Sequence, residues 1–132
     1  MILVDSCILI DVIEEDAAWR RWSQSALEEW ARRGPVCINP VVYAELSPDF
    51  DDPAALDGLL TQVGIEYREI PREGLFLAAR AHQAYRRRGG ARSGVLPDFF
   101  IGAHARVLDV PLLTRDPRRL RAAFPDLALV TP

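Results

Sequence analysis

Five short apolar runs recur along the chain, separated by stretches with helical spacing, and this alternation restricts the fold more than any other feature. The runs are Ile2-Leu3-Val4, Val36-Cys37-Ile38-Asn39, IEYREI at 65–70, PLLT at 111–114 and LALV at 127–130. Each is too short for a stable helix, and the first two are rich in β-branched residues, so each reads as a strand. Strands joined through helices pair in parallel and need helices over both faces of their sheet. The sequence therefore predicts an α/β protein: a three-layer α/β/α sandwich around a central, mainly parallel sheet, folded as one domain over residues 1–132.

Local signals place the helices. Ser6 is expected to cap a short helix through Ile13, and Asp16 to cap a longer one that Gly34-Pro35 closes. Trp19, Trp22, Ala26 and Trp30 share one face of this second helix, a stripe that reads as core or as a protein contact. Pro40 opens a helix through VVYAEL, and the acidic loop SPDFDDP at 47–53 delivers Pro53 as the first residue of a helix ending at Gly64. Another helix runs from about Arg72 to Arg88, and Asp98 begins the helix DFFIGAHARVL. His82 lies on the Leu75 and Ala78 side of its helix and reads as a satisfied core or interface histidine. His104 falls about 240° round its helix from Asp98, so it too reads as structural.

Composition narrows the setting. With 49% hydrophobic and 27% charged residues the chain is balanced as a soluble globular protein. Its apolar start carries no basic segment and is broken by Asp5 and Asp11, so no secretory leader is expected. No window approaches the ~20 apolar residues of a membrane span. Two cysteines, Cys7 and Cys37, suggest free thiols in a reducing compartment, which makes a cytoplasmic location the expectation.

The net charge of −3 conceals an asymmetry. Residues 1–79 hold 6 Arg and 15 acids, whereas residues 80–121 hold 10 Arg and 3 acids, and no lysine occurs. The runs YRRRGGAR (85–92) and TRDPRRLR (114–121) are candidates for a phosphate-binding rim formed by Arg86, Arg87, Arg88, Arg92, Arg115, Arg118 and Arg119. Solvated helix ends are the plainer account of the same runs. Arg115 is the candidate nearest an acid, placed to steer a scissile phosphate.

Topology gathers the acids that carry chemistry. In a parallel α/β sheet, function collects beyond the carboxyl ends of the strands. Asp5 ends the first strand; Glu45 is expected in the first turns of the helix leaving the second; Asp98 begins a helix that feeds PLLT; Asp116 follows PLLT. Four acids remote in sequence thus converge on one rim. Taken singly, Asp98 and Asp116 resemble ordinary helix-start residues beside a proline. Together the four form an oxygen-only cluster whose mutual repulsion invites a cation, and that chemistry suits Mg2+ or Mn2+ rather than zinc. Such a site supports metal-assisted hydrolysis of a phosphodiester.

VDSCILID around Asp5, VVYAEL with Glu45, LPDFFIGAHA with Asp98 and LLTRD ending at Asp116 resemble the four motifs of the PIN domain, in order and over essentially the whole chain. The likeness is greatest to the VapC-type branch, the toxin ribonucleases of toxin–antitoxin pairs. The resemblance implies a single PIN-like nuclease domain, acting as a Mg2+-dependent endoribonuclease, usually a homodimer and held inactive by a cognate antitoxin. It implies Asp5 and Asp98 as principal metal ligands, with Glu45 and Asp116 completing the pocket directly or through water. Ser6 and Thr114, beside motif acids, would support the site by hydrogen bonding. The Trp19/Trp22/Trp30 face and the helix carrying Leu75 and His82 are the expected dimer and antitoxin surfaces.

Other readings are a PIN-like nuclease acting on DNA or in RNA processing outside a toxin–antitoxin pair, a non-catalytic binding module, and a phospho-receiver domain. The last wants adjacent acids after the first strand and a late lysine; here Ser6 follows Asp5 and there is no lysine. The acidic stretch 47–53 finds no counterpart in the PIN motifs.

Overall fold

In the computed structural model, residues 1–90 and 95–132 are described; Arg92, one of the rim candidates, lies outside them. Five strands form one sheet: β1 (Ile2–Val4), β2 (Val36–Ile38), β3 (Ile65–Tyr67), β4 (Leu112–Leu113) and β5 (Leu129–Val130). Their order is β3-β2-β1-β4-β5 and every pairing is parallel. The sheet is therefore parallel throughout its described strands. It is flanked by seven helices among the described residues: α1 (Ser6–Ile13), α2 (Arg20–Arg33), α3 (Pro40–Leu46), α4 (Pro53–Val63), α5 (Arg72–Arg87), α6 (Leu96–Leu108) and α7 (Arg118–Ala123). The α/β/α sandwich expected from strand–helix alternation is the observed architecture.

Strand β1 holds the centre. Ile2 pairs with Val36 on one side, and Leu3 pairs with Leu112 and Val4 with Leu113 on the other. Ile2, Leu3, Val4, Ile38, Leu112 and Leu113 are all essentially inaccessible to water, which fits strands covered on both faces. From β1 the chain steps outward to β2 and β3, then crosses back through α5 and α6 to place β4 on β1's other side. The winding reverses between β1 and β4, and a cleft at the strands' carboxyl ends opens at such a reversal.

Several element ends differ from expectation. Helix α1 begins at Ser6 with Asp5 in the cap position, so Ser6 does not cap it. Helix α2 begins only at Arg20; the Asp16 carboxylate accepts from the N–H groups of Ala18 and Trp19 in the turn before it. The third strand stops at Tyr67 rather than residue 70. Within the acidic stretch, Ser47–Asp49 form a 3-10 turn and Asp52 caps α4 through the Ala55 N–H at 2.9 Å, with Pro53 next. Asp52 is thus explained by local structure. Gly64 ends α4 at φ +76°, a left-handed conformation that glycine adopts without strain.

Helix α6 is the buried pillar of the second half. Phe99 packs against His82, Tyr85 and Phe124 with ring centroids 5.3, 5.4 and 6.2 Å apart. A Cβ at Gly102 would stand 2.6 Å from the Phe124 ring and 2.8 Å from Leu120, so the glycine lets α7 approach α6 closely. Gly102 lies four residues after Asp98, on the same helical face. His104 is fully buried, as a structural residue should be. His82 is only half-buried, and its Nε2, like that of His104, has no hydrogen-bond partner among the described residues, so His82 is not the satisfied histidine expected.

The protonation of His104 follows from its neighbour. Asn39 caps α3 by accepting from the Val42 N–H at 3.0 Å, which turns its amide nitrogen towards His104 Nδ1 at 3.3 Å. Nδ1 must accept this bond, so the ring is neutral. Burial lowers the His104 pKa below its ordinary value. Below about pH 6.5 the unfolded chain takes up a proton that the folded ring refuses, so stability is lost as pH falls towards the folded pKa. His104→Leu should abolish this component: the wild-type minus variant difference in denaturant stability should shrink between pH 7 and pH 5. Parallel curves for the two proteins would refute the assignment.

Candidate functional site

The cleft at the winding reversal is built from residues that leave β1 and β4. Asp5 follows β1 directly, and its N–H remains in the sheet, donating to Leu113 O at 2.9 Å. Its carboxylate, only 8% exposed, accepts from the Thr114 hydroxyl at 2.7 Å. Thr114, the first residue past β4, is wholly buried, and its oxygen also accepts the Asp116 N–H at 3.1 Å. One hydroxyl therefore ties together the acids on two adjacent strands. Cys7 Sγ lies 3.9 Å from the same oxygen. Burial and the neighbouring Asp5 charge push the Cys7 thiol up to about 12, so it is neither thiolate nor ligand at neutral pH. Both Cys7 and Cys37 are free.

Glu45 reaches the cleft from α3. That helix is two turns long and Glu45 sits in its last turn, not its first, yet Ser6 Oγ donates to Glu45 Oε1 at 3.0 Å and holds it towards β1. Asp98 enters from α6, which starts two residues earlier than the sequence suggests. Asp98 is consequently inside the first turn and makes no cap; its carboxylate is ion-paired with Arg119 Nη1 of α7. Asp116 is exposed on the loop after β4, and the N-terminus of α7 has no side-chain cap, so Asp116 is not one.

The acids act on one another through their charges. Burial raises the pKa of Asp5, and the charge of Asp116 raises it further against the Thr114 bond. Burial raises that of Glu45, with Asp5 and Asp98 adding to the effect. Burial again leads for Asp98, joined by Asp5 and Asp116 and opposed by Arg119. Each of the four is thus coupled to at least two others. Among the described residues, no three His, Cys, Asp or Glu side chains stand ready to ligate one ion together. Asp5, Glu45, Asp98 and Asp116 offer only carboxylate oxygens, the donor type that hard divalent cations take.

The arginines divide. Arg86, Arg87, Arg88 and Arg118 are exposed, as phosphate-binding candidates must be. Arg115 is not available for that task. Its guanidinium makes a bidentate pair with Asp11, Nε to Oδ2 at 2.6 Å and Nη2 to Oδ1 at 2.8 Å, and lies 5.2 Å from the Trp19 ring. Asp11 is buried and also accepts from Ser23 Oγ at 2.6 Å. The sequence reading missed this pair. Its only local signal is an acid three residues after Ile8, on the helical face that α1 buries. The pair anchors the loop between Thr114 and Asp116 to α1 and α2. Removing one partner leaves a buried charge uncompensated, which costs about 3–5 kcal/mol. Arg115→Ala should therefore lower the denaturation midpoint markedly, whereas Arg118→Ala should shift stability by less than about 0.5 kcal/mol. Equal effects of the two variants would contradict this division.

The family model for the PIN domain matches residues 2–125. Among solved structures, the chain is similar to one in VapBC2 from Rickettsia felis bound to a DNA fragment from its promoter, at 19% identity and TM-score 0.76, covering 100% of this chain and 99% of the other. A toxin–antitoxin complex from Klebsiella pneumoniae gives 24% identity and TM-score 0.72, with 100% and 98% covered. FitAcB from Neisseria gonorrhoeae gives 21% and 0.65, with 98% and 96% covered. No significant match is found among curated proteins.

Proposed function

The chain belongs to the PIN domain family, and from that premise we propose that it is a Mg2+-dependent endoribonuclease, the toxin of a toxin–antitoxin pair. The observation that carries the reading is the placement of Asp5, Glu45, Asp98 and Asp116 around the winding reversal of the sheet, with Thr114 holding Asp5 and Ser6 holding Glu45 towards β1.

In this reading Asp5 and Asp98 hold the ion, and Glu45 and Asp116 complete the pocket directly or through water. When bound, the ion (Mg2+, with Mn2+ as a substitute) supplies a Lewis acid and an activated water for attack on a phosphodiester. The protein's own part is orientation. Thr114 fixes the Asp5 carboxylate, and Ser6 fixes one oxygen of Glu45 while leaving the other able to accept a proton from the attacking water. Exposed Arg86, Arg87, Arg88 and Arg118 supply positive charge for an RNA backbone.

The relatives found as toxin–antitoxin complexes support an antitoxin partner. An apolar groove of about 440 Å3 between α1, α2 and α4, lined by Leu9, Val12, Leu27, Leu56 and Leu60, is the surface offered to it. Trp22 and Trp30 are half-buried against the core, so the tryptophan face offers less than its sequence promised. On α5, Leu75 and Phe76 are exposed and suit a homodimer contact. No helix among the described residues is long and apolar enough to cross a membrane; we place the protein in the cytoplasm, where its RNA substrate and reducing conditions for both free thiols are found.

Asp5→Asn is the cleanest test, because asparagine keeps an acceptor for Thr114 while removing a buried charge. In EDTA the variant should melt at or above the wild-type temperature. It should gain less than wild type from millimolar Mg2+, since stabilisation tracks affinity for the native state. Cleavage of an RNA hairpin should be lost, and a matched DNA hairpin should resist both proteins. Full cleavage by Asp5→Asn would overturn the site, and equal cleavage of DNA by wild type would overturn the substrate.

A further inference from the structure

Arg119 stands apart from the other arginines of the basic half. It makes an ion pair with Asp98, and among the described residues no other of the four acids has one. Both side chains are about one-third exposed, so the contact lies at the cleft and not on open surface. The backbone delivers it there. Close packing of Leu120 and Phe124 over Gly102 holds α7 against the same face of α6 that carries Asp98. Arg119 is therefore presented to Asp98 by a packed helix.

We propose that Arg119 is a resident counter-ion of the acidic edge, which must release Asp98 before a divalent cation can be held there. The inference rests on reading that edge as a metal site. Its logic is competition: an arginine paired with a carboxylate takes up acceptor capacity and offsets the charge that would draw the ion. The affinity observed for a ligand falls with the fraction of protein competent to bind it. If Asp98 is paired roughly nine-tenths of the time, removing Arg119 tightens metal binding roughly tenfold. By the same linkage, a bound ion frees the guanidinium, which is then at the cleft and able to contact a phosphate.

The sign of two measurements separates this role from a purely structural one. Arg119→Gln should lower the melting temperature in EDTA, where the acids lose their counter-ion. Yet the variant should bind Mg2+ roughly tenfold more tightly by calorimetry and show a larger rise in melting temperature on Mg2+ titration than wild type. Arg119→Lys, which keeps the charge but not the planar fork, should fall between them and serves if Arg119→Gln does not fold. Unchanged or weaker Mg2+ binding in both variants would overturn the counter-ion role while leaving the metal site standing. No Mg2+ binding by wild type or either variant would overturn the metal site and this inference together.

Discussion

Asp5 leaves a strand that is hydrogen-bonded on both sides, and its own N–H still donates into the sheet. The carboxylate has nowhere to go but the cleft. A buried acid at that point needs partners, and the surrounding structure can be read as the set of answers. Thr114 gives it a hydroxyl, Ser6 steers Glu45 alongside it, and Arg119 meets the charge of Asp98. Thr114 is in place because β4 pairs with β1, and β4 lies there because the chain crosses back after β3.

The elements of the fold were legible where local physics decides them. Strand β1 and strand β2 are continuous apolar runs, and a two-face-buried parallel strand needs nothing else. Gly64 and Pro53 punctuate α4 as their backbone chemistry requires. Boundaries were missed where tertiary packing overrides the local signal. Helix α6 starts at Leu96 instead of Asp98, whose carboxylate is engaged by Arg119 of α7 and caps nothing. Arg68 still donates its N–H to Ile38 O at 2.8 Å, but the strand goes no further, for β2, the neighbour that pairs with β3, ends at Ile38.

The site was legible in its acids and opaque in its arginines. Asp5, Glu45, Asp98 and Asp116 could be gathered on one edge by topology, since a carboxylate after a strand or near a helix start has few places to lie. No comparable rule says where a long arginine side chain ends. Arg115 and Arg119 are four residues apart in one basic run; one is locked on buried Asp11 and the other rests on Asp98. Asp11 was passed over because its partner is 104 residues away, and sequence spacing carries no trace of that contact.

The order of the strands also bears on the timing of synthesis. The central strand is the first to be made, whereas the neighbour that completes the cleft, with Thr114 and Asp116, comes more than a hundred residues later. At a translation rate of about 5–20 residues per second, that interval lasts roughly 5–20 s. For all of it Asp5 has no hydroxyl partner and the acidic edge does not exist. A nascent chain therefore carries an incomplete cleft until β4 joins β1, and the delay is written into the topology.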